Sequence, residues 1–129
     1  MARHNIVGSE GEDIAAEYLE GLGWEIVTRN FRRPYGELDI VARLPVFRPF
    51  GQGETGGKLV FVEVKSVSRE TGIRPEENLH YHKLKRLKNI IQVYLSTKKH
   101  TDDWRFDVLI VYLNQNSKQA KIRHLENII

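Results

Sequence analysis

Apolar and polar positions alternate with a period of two along Lys58-Leu59-Val60-Phe61-Val62-Glu63-Val64-Lys65. Successive side chains of an extended chain point to opposite faces, so Val60, Val62 and Val64 share one face and Leu59, Phe61, Glu63 and Lys65 the other. The second face begins apolar and ends charged. Upstream, Gly36-Glu37-Leu38-Asp39-Ile40-Val41 runs the opposite way: Leu38, Ile40, Ala42 and Leu44 form one apolar face, while Glu37 and Asp39 precede Val41 on the other. Paired as antiparallel strands, the charged start of the first lies beside the charged end of the second. Asp39, Glu63 and Lys65 are then expected to converge at one rim of the sheet.

The remaining pattern predicts the other elements. Residues 8–22 read as a helix with an apolar stripe of Ile14, Ala15, Tyr18, Leu19 and Leu22, ended by Gly21 and Gly23. Ser9 followed by Glu12 has the form of a capping box at its start. Residues 24–31, rich in aromatic and β-branched side chains, read as a first strand joined through Pro34-Tyr35-Gly36 to the strand carrying Asp39. Residues 45–57 hold two prolines and four glycines and read as a long loop, either functional through Phe47, Arg48 and Phe50 or a plain insertion. Residues 66–74 form a connection, and Pro75 suits the first turn of a second helix running to about residue 97. Its apolar stripe is Leu84, Leu87, Ile91, Tyr94 and Leu95; His82, Lys85, Arg86, Lys88, Asn89 and Gln92 fall largely opposite. Residues 105–112 and 120–125 read as two further strands with a turn at 114–118. The order is helix, three strands, helix, two strands, expected to form one domain over residues 1–129.

Composition narrows the chemistry. The 129 residues suffice for a sheet covered by helices, and the absence of cysteine removes disulfides, thiol catalysis and cysteine-ligated zinc. No stretch is long and apolar enough to span a membrane and none forms a signal-peptide core, so a cytoplasmic location is expected. Of the five histidines, His80 and His82 are two apart on a helix and His4, His100 and His124 are scattered, which does not make a zinc site. The net charge of +3 permits an anionic partner. The basic face of the second helix either follows a phosphate backbone or is simply solvated.

A carboxylate at a sheet rim is normally paired, metal-bound or in a wet cleft, because burying it alone costs several kcal/mol. Asp39 and Glu63, with Lys65 two residues after Glu63, form a set able to bind a hard divalent cation with an ammonium beside it. The plain alternative is a Glu63–Lys65 ion pair at a strand end with Asp39 in a turn. Convergence of all three favours a site.

The strand order, with an acid on the second strand and Glu-x-Lys on the third, resembles the core of the PD-(D/E)XK, or restriction-endonuclease-like, nuclease superfamily. More closely, the chain resembles the bacterial YraN-like family. The residues carrying the likeness are Gly11-Glu12, Ala15, Tyr18-Leu19, Arg29-Asn30-Phe31, Gly36-Glu37-Leu38-Asp39-Ile40-Val41, Phe61-Val62-Glu63-Val64-Lys65, Lys83, Tyr94-Leu95 and Arg105-Phe106-Asp107-Val108. The pattern of acids is similar to that of archaeal Holliday-junction resolvases.

The resemblance implies an α/β fold with a mixed sheet of about five strands flanked by helices, and a metal-dependent endonuclease, with DNA favoured over RNA and repair or recombination as its setting. It implies Asp39 and Glu63 as ligands of Mg2+, for which Mn2+ substitutes, with the Val64 carbonyl as a further oxygen and Lys65 beside the attacking water or scissile phosphate. Glu12 matches an acid that some relatives supply from the first helix, so capping and ligand roles compete or combine there. Glu37 is held as a supporting residue behind Asp39, and Lys83, Lys85, Arg86 and Lys88 as nucleic-acid contacts. Asp107 is expected to pair with Arg105 or another polar group in the sheet. Enzymes that cut both strands of a junction commonly work as symmetric homodimers, which keeps that assembly open. The competing function is a non-catalytic nucleic-acid-binding module that retains the fold. The 45–57 loop is longer than is usual in the family, and Ser66-Val67 stand where a threonine-arginine pair is common, so substrate preference does not carry over.

Overall fold

A computed structural model describes residues 3–46, 57–67, 81–98, 103–113 and 120–129, with side chains for all of these except 3–9 and 81–83. The elements are α1 (Arg3–Gly21), β1 (Glu25–Arg33), β2 (Gly36–Arg43), β3 (Leu59–Val67), α2 (Tyr81–Thr97), β4 (Trp104–Tyr112) and β5 (Lys121–Leu125). The strands form one five-stranded sheet in the order β1-β2-β3-β4-β5. Only β3 and β4 pair in parallel; the other neighbours are antiparallel. A parallel pair needs a crossover, and α2 lies within it. This is the mixed α/β sheet flanked by helices that the resemblance implies, and its topology is restriction-endonuclease-like.

The sheet is buried on both faces. Towards α1, Ala15, Ala16 and Leu19 pack on Ile40, Ala42, Val60, Val62, Leu109 and Val111. Towards α2, Leu87, Ile90, Ile91, Tyr94 and Leu95 pack on Leu38, Val41, Leu59, Phe61, Phe106, Val108 and Ile110. Double coverage explains the continuous apolar run of β4, which no one-sided alternation would give. The Tyr94 ring sits edge-on to Phe31 at 5.1 Å and to Phe61 at 5.5 Å, joining β1 and β3 to α2. The α2 stripe is as the spacing predicts, with Ile90 added, and Lys85, Arg86, Lys88, Asn89 and Gln92 are exposed.

α1 departs from expectation at both ends. It begins at Arg3 rather than near residue 8, so Ser9 lies within the helix and does not cap it. A lone glycine such as Gly8 costs a helix only about 1 kcal/mol, too little to stop it. At the other end Gly23 takes φ 87°, with its N–H donating to the Glu20 carbonyl and the Trp24 N–H to the Leu19 carbonyl at 3.0 Å. This left-handed closure leaves Leu22 beyond the helix and 46% exposed, not part of the apolar stripe. Strand β3 also runs on through Ser66 and Val67, which the sequence placed in a connection. The expectations for Phe47, Arg48, Phe50, Pro75, His80, His100 and the 114–118 turn lie outside the described residues, as do the side chains of His4, His82 and Lys83.

One buried charge is fully engaged. Asp107 on β4 is 0% exposed. Its Oδ1 accepts from Arg105 Nε and its Oδ2 from a terminal Arg105 nitrogen, both at 2.9 Å, bearing out the expected pair. Oδ2 also meets His124 Nε2 at 2.7 Å, and Oδ1 accepts the Asn127 N–H at 2.9 Å. The ionised carboxylate fixes His124 Nε2 as donor, so in the neutral ring Nδ1 accepts from the Tyr18 hydroxyl, 3.1 Å away. Burial alone raises the pKa of Asp107, but the bonds from His124, Arg105 and Asn127 outweigh it and leave the group below its ordinary value. With the Ile128 N–H donating to the Phe106 carbonyl at 2.8 Å, these contacts fasten the residues after β5 to the sheet.

Removing one partner of a buried pair strands the other, so Asp107→Ala is expected to cost about 3–5 kcal/mol. Urea denaturation at neutral pH measures this; a loss under about 1 kcal/mol contradicts the assigned structural role.

Candidate active site

The site begins where the β2–β3 ladder stops. Paired positions run from Arg43↔Leu59 to Ile40↔Val62, and continuing this register by one residue sets Asp39 opposite Glu63. There the backbone bond is replaced: Asp39 Oδ2 accepts the Val64 N–H at 2.8 Å. The Asp39 side chain thus reaches along the sheet to the strand that carries Glu63 and Lys65.

The local folding of β1 and β2 explains this orientation. Strict alternation puts Leu38 with Ile40 and Ala42, but Leu38 packs towards α2 while Ile40 and Ala42 pack towards α1. The phase therefore breaks at Asp39, a correction to the uniform faces expected from the sequence. The break has a partner on β1, where Asn30 takes φ 56°, a left-handed conformation that asparagine tolerates better than most residues. Positions 29↔40 and 31↔38 are paired on either side of it. Phe31 beyond the turn joins the α2 core, while Arg29 before it meets α1, donating to Asp13 Oδ1 at 2.7 Å and lying 3.9 Å from Glu12 Oε2.

α1 supplies Glu12. Gly11 approaches Ser66 of β3 so closely that a Cβ there would collide with the serine side chain. The missing side chain lets the helix settle onto β3 beside Lys65 and brings Glu12 into electrostatic reach of Asp39. Glu12 is half-buried; burial raises its pKa, against the lowering effects of Arg29 and a hydrogen bond with the Asn30 side chain. Because Ser9 is not an N-cap, the reciprocal capping role for Glu12 falls away. In the sequence Arg29 and Asn30 stand out only through the family likeness; an asparagine inside a β-branched, aromatic strand is the available signal for the turn.

Among the described acids Asp39 stands furthest above its ordinary pKa. Burial pushes its pKa up to about 7, the Val64 N–H opposes this, and the charges of Glu12, Glu63 and Glu37 add to the rise. Glu63 is half-buried on β3, and its Oε2 atom is buried without a hydrogen bond among the described residues. Lys65 is half-buried two residues on. Glu37 lies at the surface, its Oε2 3.2 Å from Arg32 Nε. Among the described residues no three acidic or histidine side chains close on a common point in the manner of a metal centre. No described helix is long and apolar enough to cross a membrane.

The sequence model of the uncharacterised protein family UPF0102 matches residues 11–111. The chain belongs to UPF0102. A UPF0102 protein of Desulforamulus reducens is 38% identical over 123 residues, covering 94% of this chain and 93% of its own length. One from Thermodesulfovibrio yellowstonii is 36% identical over 127 residues, 98% of this chain and 97% of that one. A third, from Beutenbergia cavernae, is 37% identical over 129 residues and covers 99% of both chains. Fold and UPF0102 membership together are consistent with a nuclease-like protein.

The raised pKa of Asp39 makes a signed prediction. An acid whose folded pKa is near 7 and unfolded pKa near 4 leaves the native state less stable as pH rises from about 4 to 7, with the whole penalty present above 7. Asp39→Asn removes that penalty while keeping an acceptor for Val64. In EDTA it is expected to be more stable than the parent by about 1–3 kcal/mol at pH 8, after allowance for partial exposure, and by little at pH 4. Urea midpoints at the two pH values check this; a difference independent of pH contradicts the coupled-acid description.

Proposed function

We propose that the chain is a metal-dependent endonuclease of the PD-(D/E)XK type that hydrolyses nucleic-acid phosphodiesters, DNA in preference to RNA. The observation that carries the reading is the carboxyl of Asp39, pushed up to about 7 by burial and by Glu12 and Glu63, and fixed to the backbone of the strand bearing Glu63 and Lys65. A carboxyl raised by burial and by neighbouring negative charge is a common mark of functional sites. A divalent cation relieves their repulsion, and an all-oxygen set with few protein ligands suits Mg2+, which retains several waters.

Asp39 and Glu63 would hold the cation, with the Val64 carbonyl as a further oxygen and Glu12 adding negative charge nearby. A cation held there would supply Lewis acidity and positive charge at the phosphate. Lys65 places its ammonium where negative charge gathers on the phosphoryl oxygens as water oxygen bonds to phosphorus and the ester oxygen leaves. Arg29 and Asn30 position Glu12, and the N–H of Val64 orients Asp39. Glu37, tied to Arg32, contributes field rather than contact.

The second reading is a nucleic-acid-binding module. It is favoured by the exposed Lys85, Arg86 and Lys88, which make no ion pairs among the described residues. It predicts binding that falls with salt and ignores both Mg2+ and Asp39.

Cleavage of labelled linear, single-stranded, flapped and four-way-junction DNA and matching RNA, in Mg2+ and in Mn2+, separates the two. The nuclease reading expects metal-dependent cutting that falls at least about 100-fold in Glu63→Ala and Asp39→Ala, the scale of losing a principal electrostatic group. Binding without cutting on every substrate, or cutting indifferent to both substitutions, contradicts it.

A further inference from the structure

The β1–β2 turn and α2 enclose an open cleft of about 700 Å3 lined by Pro34, Tyr35, Gly36, Arg86 and Asn89. Gly36 lies over Ile90, where an added Cβ would sit 3.6 Å from the isoleucine Cβ, an ordinary van der Waals contact. Tyr35 is 52% exposed and makes no ring contact or hydrogen bond among the described residues. Arg86 and Asn89 are exposed, three residues apart on α2, and so neighbours on its surface. The guanidinium of Arg86 has no acidic partner among the described residues, and none of the lining residues is acidic. The adjacent acid, Glu37, is already held by Arg32 at 3.2 Å.

An exposed aromatic face, a guanidinium without an acidic partner among the described residues and a side-chain amide are three groups suited to an unstacked nucleotide: one stacks on the base, one meets phosphate, one bonds a base edge. We propose that this cleft is a subsite for one unpaired nucleotide of a single-stranded or branched substrate, with the base on Tyr35, the phosphate at Arg86 and Asn89 at the base edge. The proposal rests on the nuclease reading for its substrate class. Gly36 lies three residues before Asp39 on β2, about 10 Å along an extended strand, so a nucleic-acid strand crossing the acids continues over the hairpin to the cleft. Duplex, whose bases remain stacked, has no use for Tyr35.

The test is binding of fluorescein-labelled oligothymidylate and of a labelled duplex of equal length by the full chain in EDTA, where nothing is cut. Tyr35→Ala is expected to weaken single-strand binding about 5- to 50-fold while leaving duplex binding within about twofold. Tyr35→Phe keeps the π face and is expected to bind like the parent. Arg86→Gln is expected to weaken single-strand binding and to flatten its dependence on salt by about one phosphate contact. Thermal melting of each variant reports folding independently of binding.

No single-strand binding by the parent, equal binding by Tyr35→Ala and the parent, or equal losses on single strand and duplex each overturn the subsite. The two readings fail separately. Unchanged cutting in Glu63→Ala removes the nuclease and leaves the Tyr35 measurement standing, whereas an inert Tyr35→Ala with intact metal-dependent cutting removes only the cleft.

Discussion

A single substitution of one acceptor for another organises the molecule: the Val64 N–H, which an uninterrupted β2–β3 ladder would give to a backbone carbonyl, goes to Asp39 Oδ2. Backbone donors inside a protein must be satisfied, so the carboxylate is held there by the same requirement that builds the sheet. Ending the ladder lets two strands part at one edge without leaving Val64 unbonded. The cost falls on Asp39, whose charge is disfavoured by burial and by the acids around it. Gly11, Asn30 and Arg29 serve this arrangement from two other elements, by bringing α1 close, turning β1 over and steadying Glu12.

The two internal aspartates show opposite uses of a buried charge. Asp107 has Arg105, His124 and the Asn127 N–H about it, lies below its ordinary pKa and fastens the chain end to the sheet. Asp39 has one backbone donor and three acidic neighbours, and lies well above. Both are on the same five-stranded sheet, so the contrast comes from neighbours and not from the fold. A satisfied network rigidifies; a cluster of like charges stores a demand for a cation or a proton.

Much of this was legible in the residues. Alternation in Lys58–Lys65 and its mirror image around Leu38 and Ile40 pointed to both strands and, with the two paired antiparallel, to the nearness of Asp39 to β3. The α2 stripe followed from helical spacing. The phase break at Asp39 was not legible: alternation assumes an unbroken pleat, and the left-handed Asn30 that interrupts it shows only as one residue out of character for a strand. Ser9 and Glu12 fitted a capping box that a longer helix made irrelevant. The Tyr18–His124–Asp107 chain joins residues up to 106 positions apart, and local periodicity carries no information at that range. His124, one of several scattered histidines in the sequence, has its role only through the β4–β5 pairing.

The proposed function rests most directly on Asp39 and Glu63 holding a divalent cation. Calorimetric titration of Mg2+ into the full chain at pH 7, in buffers of different ionisation enthalpy, tests it without relying on catalysis. With Asp39 near half-protonated, binding is expected to release roughly half a proton per cation, and Asp39→Asn is expected to lose both the release and most of the affinity. Binding that releases no proton and survives Asp39→Asn, or no binding at all, contradicts the account.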